Sequence, residues 1–230
     1  MSPRSENIQA LLEKAGVQLG KIKVEYSKSL HAKAINATFR IDIKNLCENM
    51  RSVLDYIAHD IHERDCQKES SGGRFYFPIL PDKKSFDRRL DQWFPGLRQV
   101  APNVVSVLEA VQPFQSGQEW LGLFNQLNNE NKHGDLVEQT RIEHQETRVT
   151  GQRGGQVSWT PGVTFGQGVS VMGVPIDPRT QLPVPHPSIK VEKIIWVDFQ
   201  FNGIEVSALG LLEKTLAGIQ NIETMLRTFL

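Results

Sequence analysis

The sequence predicts a mainly helical fold with a β-rich insertion, which is an α+β class. Two long amphipathic segments open the chain, and a third closes it. Between them, from about residue 140, β-branched and aromatic residues alternate with breaks rich in glycine and proline. We therefore expect a single domain over 1–230, with a helical bundle over 1–139, a β-rich insertion over 140–203 and a helix over 204–230 that completes the bundle.

The first two helices are predicted from apolar residues that recur three and four positions apart. Ser5 is expected to cap the first helix, and the second is expected to run through RIDIKNLCENMRSVLDYIAHDIHERD until ESSGG ends it. Each stripe needs a partner, so the two helices should pack antiparallel as a hairpin. The stripes consist of Ile8, Leu12, Ala15, Leu19, Ile22, Tyr26 and Leu30 in the first helix and Ile43, Leu46, Met50, Val53, Ile57 and Ile61 in the second.

The middle of the chain is predicted as an extended segment, a short helix, a turn and two further helices. FYFPILP is expected to be extended, DKKSFDRRLDQWF a short helix and WFPG a turn. Asn103 should cap a helix over NVVSVLEAVQ, and a further helix should begin near Gln118.

The insertion is predicted as a small antiparallel sheet followed by a loop. Its expected strands are TRIEHQETRVTG, QVSWTP, GVSVMGV and VEKIIWVDFQF, and DPRTQLPVPHPS is the expected loop. The closing helix should pack back onto the bundle, because it carries Leu209, Leu212, Leu216, Ile219, Ile222 and Leu226 at core spacing.

Composition limits the classes of function. The chain has 26 basic and 26 acidic residues, so no bulk charge argues for nucleic-acid or membrane binding. No apolar run is long enough to span a bilayer, and MSPRSENIQ lacks the apolar core of a signal peptide. Cys47 and Cys66 are too far apart along one predicted helix to be bridged, which favours a reduced, cytoplasmic setting.

The segment LNNENKHGDL, residues 127–136, is unusually polar for the end of an apolar helix. At about 100° per residue, Asn128 and Asn131 face inward, whereas Lys132 and His133 face solvent or a partner. Buried amides need hydrogen bonds, so the two asparagines either tie neighbouring helices together or cap their own. A polar site at a groove or a dimer interface is the alternative interpretation.

A second polar face follows the second helix. Arg51 and Asp55 are four positions apart, and Asn49 belongs to the neighbouring polar stripe. If this face is exposed, Arg51 and Asp55 form a surface ion pair worth less than about 1 kcal/mol. If it faces inward, Arg51 is a candidate bidentate donor to an anionic ligand such as phosphate.

The stretch AHDIHERDC raises a metal hypothesis beside a simpler one. Its His59–Asp60 pair looks like the core of the HD metal-dependent phosphohydrolases, in which His31 and Asp135 would be further ligands. A solvated helix face explains the same residues. We therefore predict no metal and no cofactor.

Four landmarks resemble, in order, a group of largely uncharacterised bacterial and phage proteins. They are CENMRSVLDYIAHDI, FYFPIL, LEAVQPFQSG and LNNENKHGDL, which match N-x-R-S-x-L-D, F-P-I, Q-P-[YF]-x-x-G and L-x-x-x-[DN]-K-H. The helical part is also similar to the HEPN superfamily, helical domains that dimerise and often cleave RNA with an R-x4-6-H motif. The resemblance therefore implies a HEPN-like bundle and a homodimer, with RNA or a nucleotide as ligand.

The HEPN resemblance makes His133 the motif's histidine. The motif's arginine is absent, so Lys132 or Arg51 would have to stabilise the developing charge while His133 acts as base. The function expected first is metal-independent RNA cleavage in a toxin or phage-defence setting. A noncatalytic module that binds a nucleotide, RNA or protein is the alternative, and an HD-type hydrolase is the third. The expected polar centre consists of Asn49, Arg51, Asp55, Asn128, Asn131, Lys132 and His133.

Overall fold

A computed structural model describes most of the chain and divides it into two compact units. It covers residues 4–32, 37–66, 75–133, 139–201 and 206–229. The first unit, called the helical unit below, comprises Met1–Thr140 and Phe199–Leu230, and the second, called the β unit, comprises Arg141–Asp198. Helices together with small antiparallel sheets confirm the mixed α+β class.

The helical unit is built on a long hairpin. Its helices are α1 (Ser5–Ala32), α2 (Ala37–Asp65), α3 (Lys83–Trp93), α4 (Leu97–Val100), α5 (Pro102–Ala110), α6 (Glu119–His133) and α7 (Ala208–Arg227). Arg4, just before α1, bonds to Glu63 near the end of α2, while Gln18 and Asn49 meet midway along both helices. These contacts show that α1 and α2 run antiparallel, and α7 packs against both.

The predicted apolar stripes form the core of the helical unit. Every stripe residue of α1 with a described side chain is buried, as are all six of α2, and Leu30 lies outside the described side chains. On α7 the stripe is buried except for Leu209, which packs at the edge of the core. Periodicity was therefore a sound guide to the inward face of each long helix.

Two predicted helix caps are wrong. The Arg4 carbonyl accepts the first helical bond, from Ile8 N–H at 2.8 Å, so Ser5 is already inside α1. α5 begins at Pro102, which needs no cap partner because proline lacks the N–H and its ring presets φ. Asn103 therefore lies inside α5 rather than before it.

The β unit contains two small sheets. Its strands are β1 (Gln139–Gly151), β2 (Gln156–Trp159), β3 (Ser170–Val171), β4 (Val174–Asp177), β5 (Leu182–Pro183) and β6 (Ile189–Phe201), in the orders β2-β1-β6 and β3-β4-β5. β1 and β6 extend by a few residues into the helical unit. A small core of Val149, Trp159, Val171 and Ile176 holds the β unit together.

The segment GVSVMGV is a hairpin rather than the single strand that its alternation predicted. Met172 and Gly173 have φ values of 49° and 80°, and they connect β3 to β4 with Val171 opposite Val174. Positive φ at both central residues matches the right-handed twist of the two strands. The predicted loop DPRTQLPVPHPS also contains a short strand, β5.

Both cysteines are free, as their spacing predicted. Burial raises the pKa of Cys47 to about 12 and that of Cys66 to about 11, so both thiols stay protonated and unreactive near neutral pH. Among the described residues, no helix is long and apolar enough to cross a membrane.

Candidate functional site

Arg51, one of the candidate site residues, lies inside the helical unit. It is 8% exposed, and its guanidinium binds Asp55 through two contacts, Nε to Oδ2 at 3.2 Å and Nη2 to Oδ1 at 3.0 Å. Nη1 donates to Oδ1 of Asn125 on α6 at 3.3 Å, and Nη2 donates to the Phe77 carbonyl at 3.3 Å. Each of the three guanidinium nitrogens therefore has a partner within the chain.

Asp55 and Arg51 together hold the main chain of Phe77. The Phe77 N–H donates to Oδ1 of Asp55 at 3.0 Å, while the Phe77 carbonyl accepts from Arg51. Since residues four apart share one face of a helix, α2 presents an acceptor and a donor side by side to the extended segment. The extended segment belongs to none of the described sheets, so these side chains supply the hydrogen-bond partners that its backbone groups need.

Gln112 repeats this arrangement one step along the segment. Its Oε1 accepts from Leu80 N–H at 3.0 Å, and its Nε2 donates to the carbonyls of Pro78 at 2.9 Å and Leu108 at 2.8 Å. Gln112 is fully buried, so each of these bonds forms away from water. We call Arg51, Asp55 and Gln112 the clamp, because they fix residues 75–80 against the bundle.

The clamp corrects both earlier interpretations of Arg51 and Asp55. They do not form a surface ion pair, because Arg51 is buried and both side chains also bind the Phe77 main chain. Nor is the guanidinium a bidentate donor to an anionic ligand, since among the described residues four of its five N–H groups already bind Asp55, Asn125 and Phe77. A buried ion pair is tolerated only when further hydrogen bonds satisfy it, and the peptide of Phe77 supplies them here.

The clamp also determines which side chain of the segment reaches the surface. Neighbouring side chains of an extended chain point to opposite sides, so Phe77 is buried and Tyr76 is 43% exposed. The Tyr76 ring lies 6.3 Å from the Trp93 ring at 75°, an edge-to-face pair. Arg89 stacks over Trp93 at 4.9 Å, and Arg51 lies 5.9 Å from the Tyr76 centroid.

We call Tyr76, Trp93 and Arg89 the aromatic platform. Arg89 and Trp93 are four residues apart on α3, which places the guanidinium over the indole. Lys84 and Arg88 are exposed on the same helix and add positive charge. This platform was not predicted from the sequence, although an aromatic residue between Phe75 and Phe77 in an extended segment was a usable signal.

Asn49 and Asn128, two further candidates, have separate positions. Asn49 donates to Oε1 of Gln18 at 2.7 Å and so links α2 to α1. Asn128 is 1% exposed, and among the described residues neither its amide nitrogen nor its amide oxygen has a hydrogen-bond partner. The structure does not describe the side chains of Asn131, Lys132 and His133.

The residues of the metal hypothesis have other partners. Asp60 and Glu63 both bind the Arg4 guanidinium, at 3.1 Å and 2.6 Å. His62 stacks on Phe75 at 4.3 Å, and His59 lies 4.5 Å from the same ring. Within the described ranges, no group of three histidine, cysteine or acidic side chains could hold a metal ion. The other two proposed ligands are not described, Asp135 because its position is not covered and His31 because its side chain is not.

The fold and the site define a mainly helical α+β protein with a buried arginine clamp beneath an aromatic surface patch. Comparison of the chain with protein-family models, curated proteins and solved structures gives no match. The HEPN resemblance therefore stays a prediction.

Proposed function

We propose that this chain is a noncatalytic, HEPN-like RNA-binding module that holds single-stranded RNA on the aromatic platform. The observation that carries the proposal is the exposed Tyr76 ring packed edge-to-face on Trp93, with guanidinium groups against both rings. We also propose that the module is a homodimer, as the resemblance implies, and light scattering would measure its mass.

An exposed aromatic ring beside arginine suits an unpaired base. Stacking of one base on an aromatic side chain contributes about 1–3 kcal/mol and tolerates any base, because every base has a π-face. Arg89 offers both a cation for phosphate and a flat surface for stacking. Because the clamp holds the backbone of Phe77, Tyr76 is already oriented and little entropy is lost when a base binds.

The same geometry argues for binding without cleavage. The ribonuclease hypothesis needs a cation to replace the missing arginine of the motif, and Arg51 was one of its two candidates. Its guanidinium is buried, and most of its N–H groups bind Asp55, Asn125 and Phe77, which argues against a role at a scissile phosphate.

The test is a fluorescence-anisotropy titration of labelled single-stranded RNA at low salt. Tyr76→Ala should weaken binding by about 5- to 150-fold, which corresponds to the loss of one stacked base. Tyr76→Phe should retain binding because it keeps the ring. The matched control is Phe229→Ala, since Phe229 is similarly exposed at 39% but lies outside the platform.

Four outcomes would overturn the proposal. The first is wild-type protein that binds no RNA, and the second is Tyr76→Ala that binds as tightly as the wild type. The third is RNA cleavage by wild-type protein in EDTA that His133→Ala abolishes, which would establish the ribonuclease hypothesis instead. Equal binding of duplex and single strand would also exclude base stacking as the mode of recognition.

A further inference from the structure

The β unit contains a groove that no part of the proposed RNA binding uses. The groove encloses a volume of about 360 Å³, within the size range of small-molecule sites. Its lining residues are Gly151, Gln152, Arg153, Gly155, Met172, Ser188 and Ile189. They come from the turn between β1 and β2, the tip of the β3–β4 hairpin and the start of β6.

A serine and a histidine meet at the wall of this groove. Ser188 Oγ lies 2.6 Å from Nδ1 of His186, and the Ser188 N–H donates to the same nitrogen at 3.2 Å. The Ser188 N–H makes Nδ1 an acceptor, so neutral His186 carries its proton on Nε2 and the Ser188 hydroxyl donates to Nδ1. This is the tautomer in which Nδ1 can take a proton from the serine hydroxyl.

The loop that carries the pair is anchored to the opposite turn. Gln152 donates from its main-chain N–H to the Ser188 carbonyl at 3.1 Å and from its side-chain amide to the Pro187 carbonyl at 3.3 Å. Ser188 is half-buried at the groove, and His186 is exposed. The hydroxyl is therefore held in place while its base stays accessible to water.

The remaining lining is partly apolar, from Met172 and Ile189, and partly polar, from Gln152 and the charged Arg153. Met172 and Ile189 face the groove, and Gly151 keeps room for the methionine, because a Cβ there would lie 2.9 Å from its sulfur. A flexible thioether adapts to different apolar groups, which suits an acyl chain better than a rigid polar ligand.

We propose that this groove is a second site, which hydrolyses small carboxylic esters with an apolar acyl chain, with Ser188 as nucleophile and His186 as general base. Oγ of Ser188 forms a bond to the carbonyl carbon as its proton passes to Nδ1 of His186. The bond between carbonyl carbon and ester oxygen breaks, and the departing alkoxide takes that proton. Water then attacks the acyl-serine, His186 takes a proton from it, and the acid is released as Ser188 regains its proton.

The test uses a fluorophosphonate probe, which modifies activated serines, together with hydrolysis of p-nitrophenyl butyrate by the whole chain. Peptide mapping of the wild type should place the label on Ser188. His186→Gln should slow both labelling and hydrolysis by about 100-fold or more, the usual contribution of a general base. Ser170→Ala is the matched control, because Ser170 is an exposed serine of the same unit, and it should behave as the wild type.

The position of the label in the wild type decides the matter even if a variant at Ser188 misfolds. A label elsewhere, no label, or equal labelling of His186→Gln and the wild type would overturn the proposal. Hydrolysis by Ser188→Ala at the wild-type rate would do the same. None of these results bears on RNA binding, which Tyr76→Ala tests separately.

Discussion

Asn128 is a buried amide whose removal should stabilise the protein. It lies on α6 at 1% exposure, and neither polar atom of its amide has a hydrogen-bond partner within the described part of the chain. An unpaired polar group in the interior costs about 1–3 kcal/mol, because its bonds to water are lost without replacement. Replacing it with an apolar side chain of the same branching removes that cost.

The variant Asn128→Leu should therefore gain free energy of unfolding. Leucine has the same branch point as asparagine, and a mismatch in shape costs less than about 1.5 kcal/mol. At the middle of both ranges, about 2 kcal/mol for the unpaired amide less about 0.75 kcal/mol for the shape mismatch, the expected gain is about 1 kcal/mol. For a chain of this length such a gain raises Tm by about 2–4 °C.

The matched control is the same substitution one turn earlier. Asn125 accepts from Nη1 of Arg51 at 3.3 Å, so Asn125→Leu leaves a buried guanidinium donor unpaired. We expect it to lower the free energy of unfolding by about 1–3 kcal/mol, the opposite sign to Asn128→Leu.

Urea unfolding followed by far-ultraviolet circular dichroism measures both variants, because this signal reports mainly on helices. The midpoint should shift while the slope stays constant. If Asn128→Leu lost as much stability as Asn125→Leu, the amide of Asn128 would have to be hydrogen-bonded, and the reasoning from its unpaired atoms would be refuted.

Two further predictions concern a glycine and a histidine. Gly218→Ala should destabilise the protein, because a Cβ there would lie 2.3 Å from the Trp120 ring. Gly20→Ala has open space and should add about 0.5–1 kcal/mol to the free energy of unfolding. Thermal unfolding compares the two variants, and equal Tm values would contradict the packing argument. Burial, with a smaller contribution from neighbouring charge, lowers the pKa of His62, so the unfolded chain binds a proton at higher pH than the folded chain. Stability should therefore be complete above about pH 6.5 and fall as the pH drops toward the folded pKa, and His62→Phe should reduce this fall in urea titrations.

Much of the helical unit could be predicted because its signals are local. The apolar stripes of α1, α2 and α7 repeat with the helical period, so the inward face of each helix is readable from the sequence. Helix ends were harder to predict. A serine near a helix start is a good cap only when it precedes the first turn, and the competing signal of Pro102 outweighed Asn103.

The hairpin at residues 170–177 of the β unit could not be predicted from the periodicity of the sequence. Alternation in GVSVMGV is the same for one strand of seven residues and for two short strands joined at Met172 and Gly173. Only Gly173 signalled a turn, and a methionine at positive φ is not a pattern that composition predicts.

The candidate site could be predicted only in part. The spacing of Arg51 and Asp55 correctly indicated a pair on one face of α2, and helical phase indicated that Asn128 points inward. The hydrogen-bond partners of Arg51 and Asp55 could not be predicted from the sequence, because Phe77 lies 22 residues after Asp55 and Asn125 lies 74 residues after Arg51. Whether a polar side chain finds a hydrogen bond depends on such distant groups.

The clamp gives a physical reason for the order of three landmarks in the sequence. Arg51 and Asp55 belong to the N-x-R-S-x-L-D segment, Phe77 belongs to F-P-I, and Gln112 belongs to the Q-P-F turn. In the structure these segments are bonded to one another, since the first and third each bind the backbone of the second. A chain that keeps this extended segment needs hydrogen-bond donors and acceptors on both sides of it, to pair with the N–H and carbonyl groups of its backbone. These three landmarks therefore describe how the bundle holds residues 75–80, and Tyr76 is the side chain that this arrangement leaves exposed at the surface.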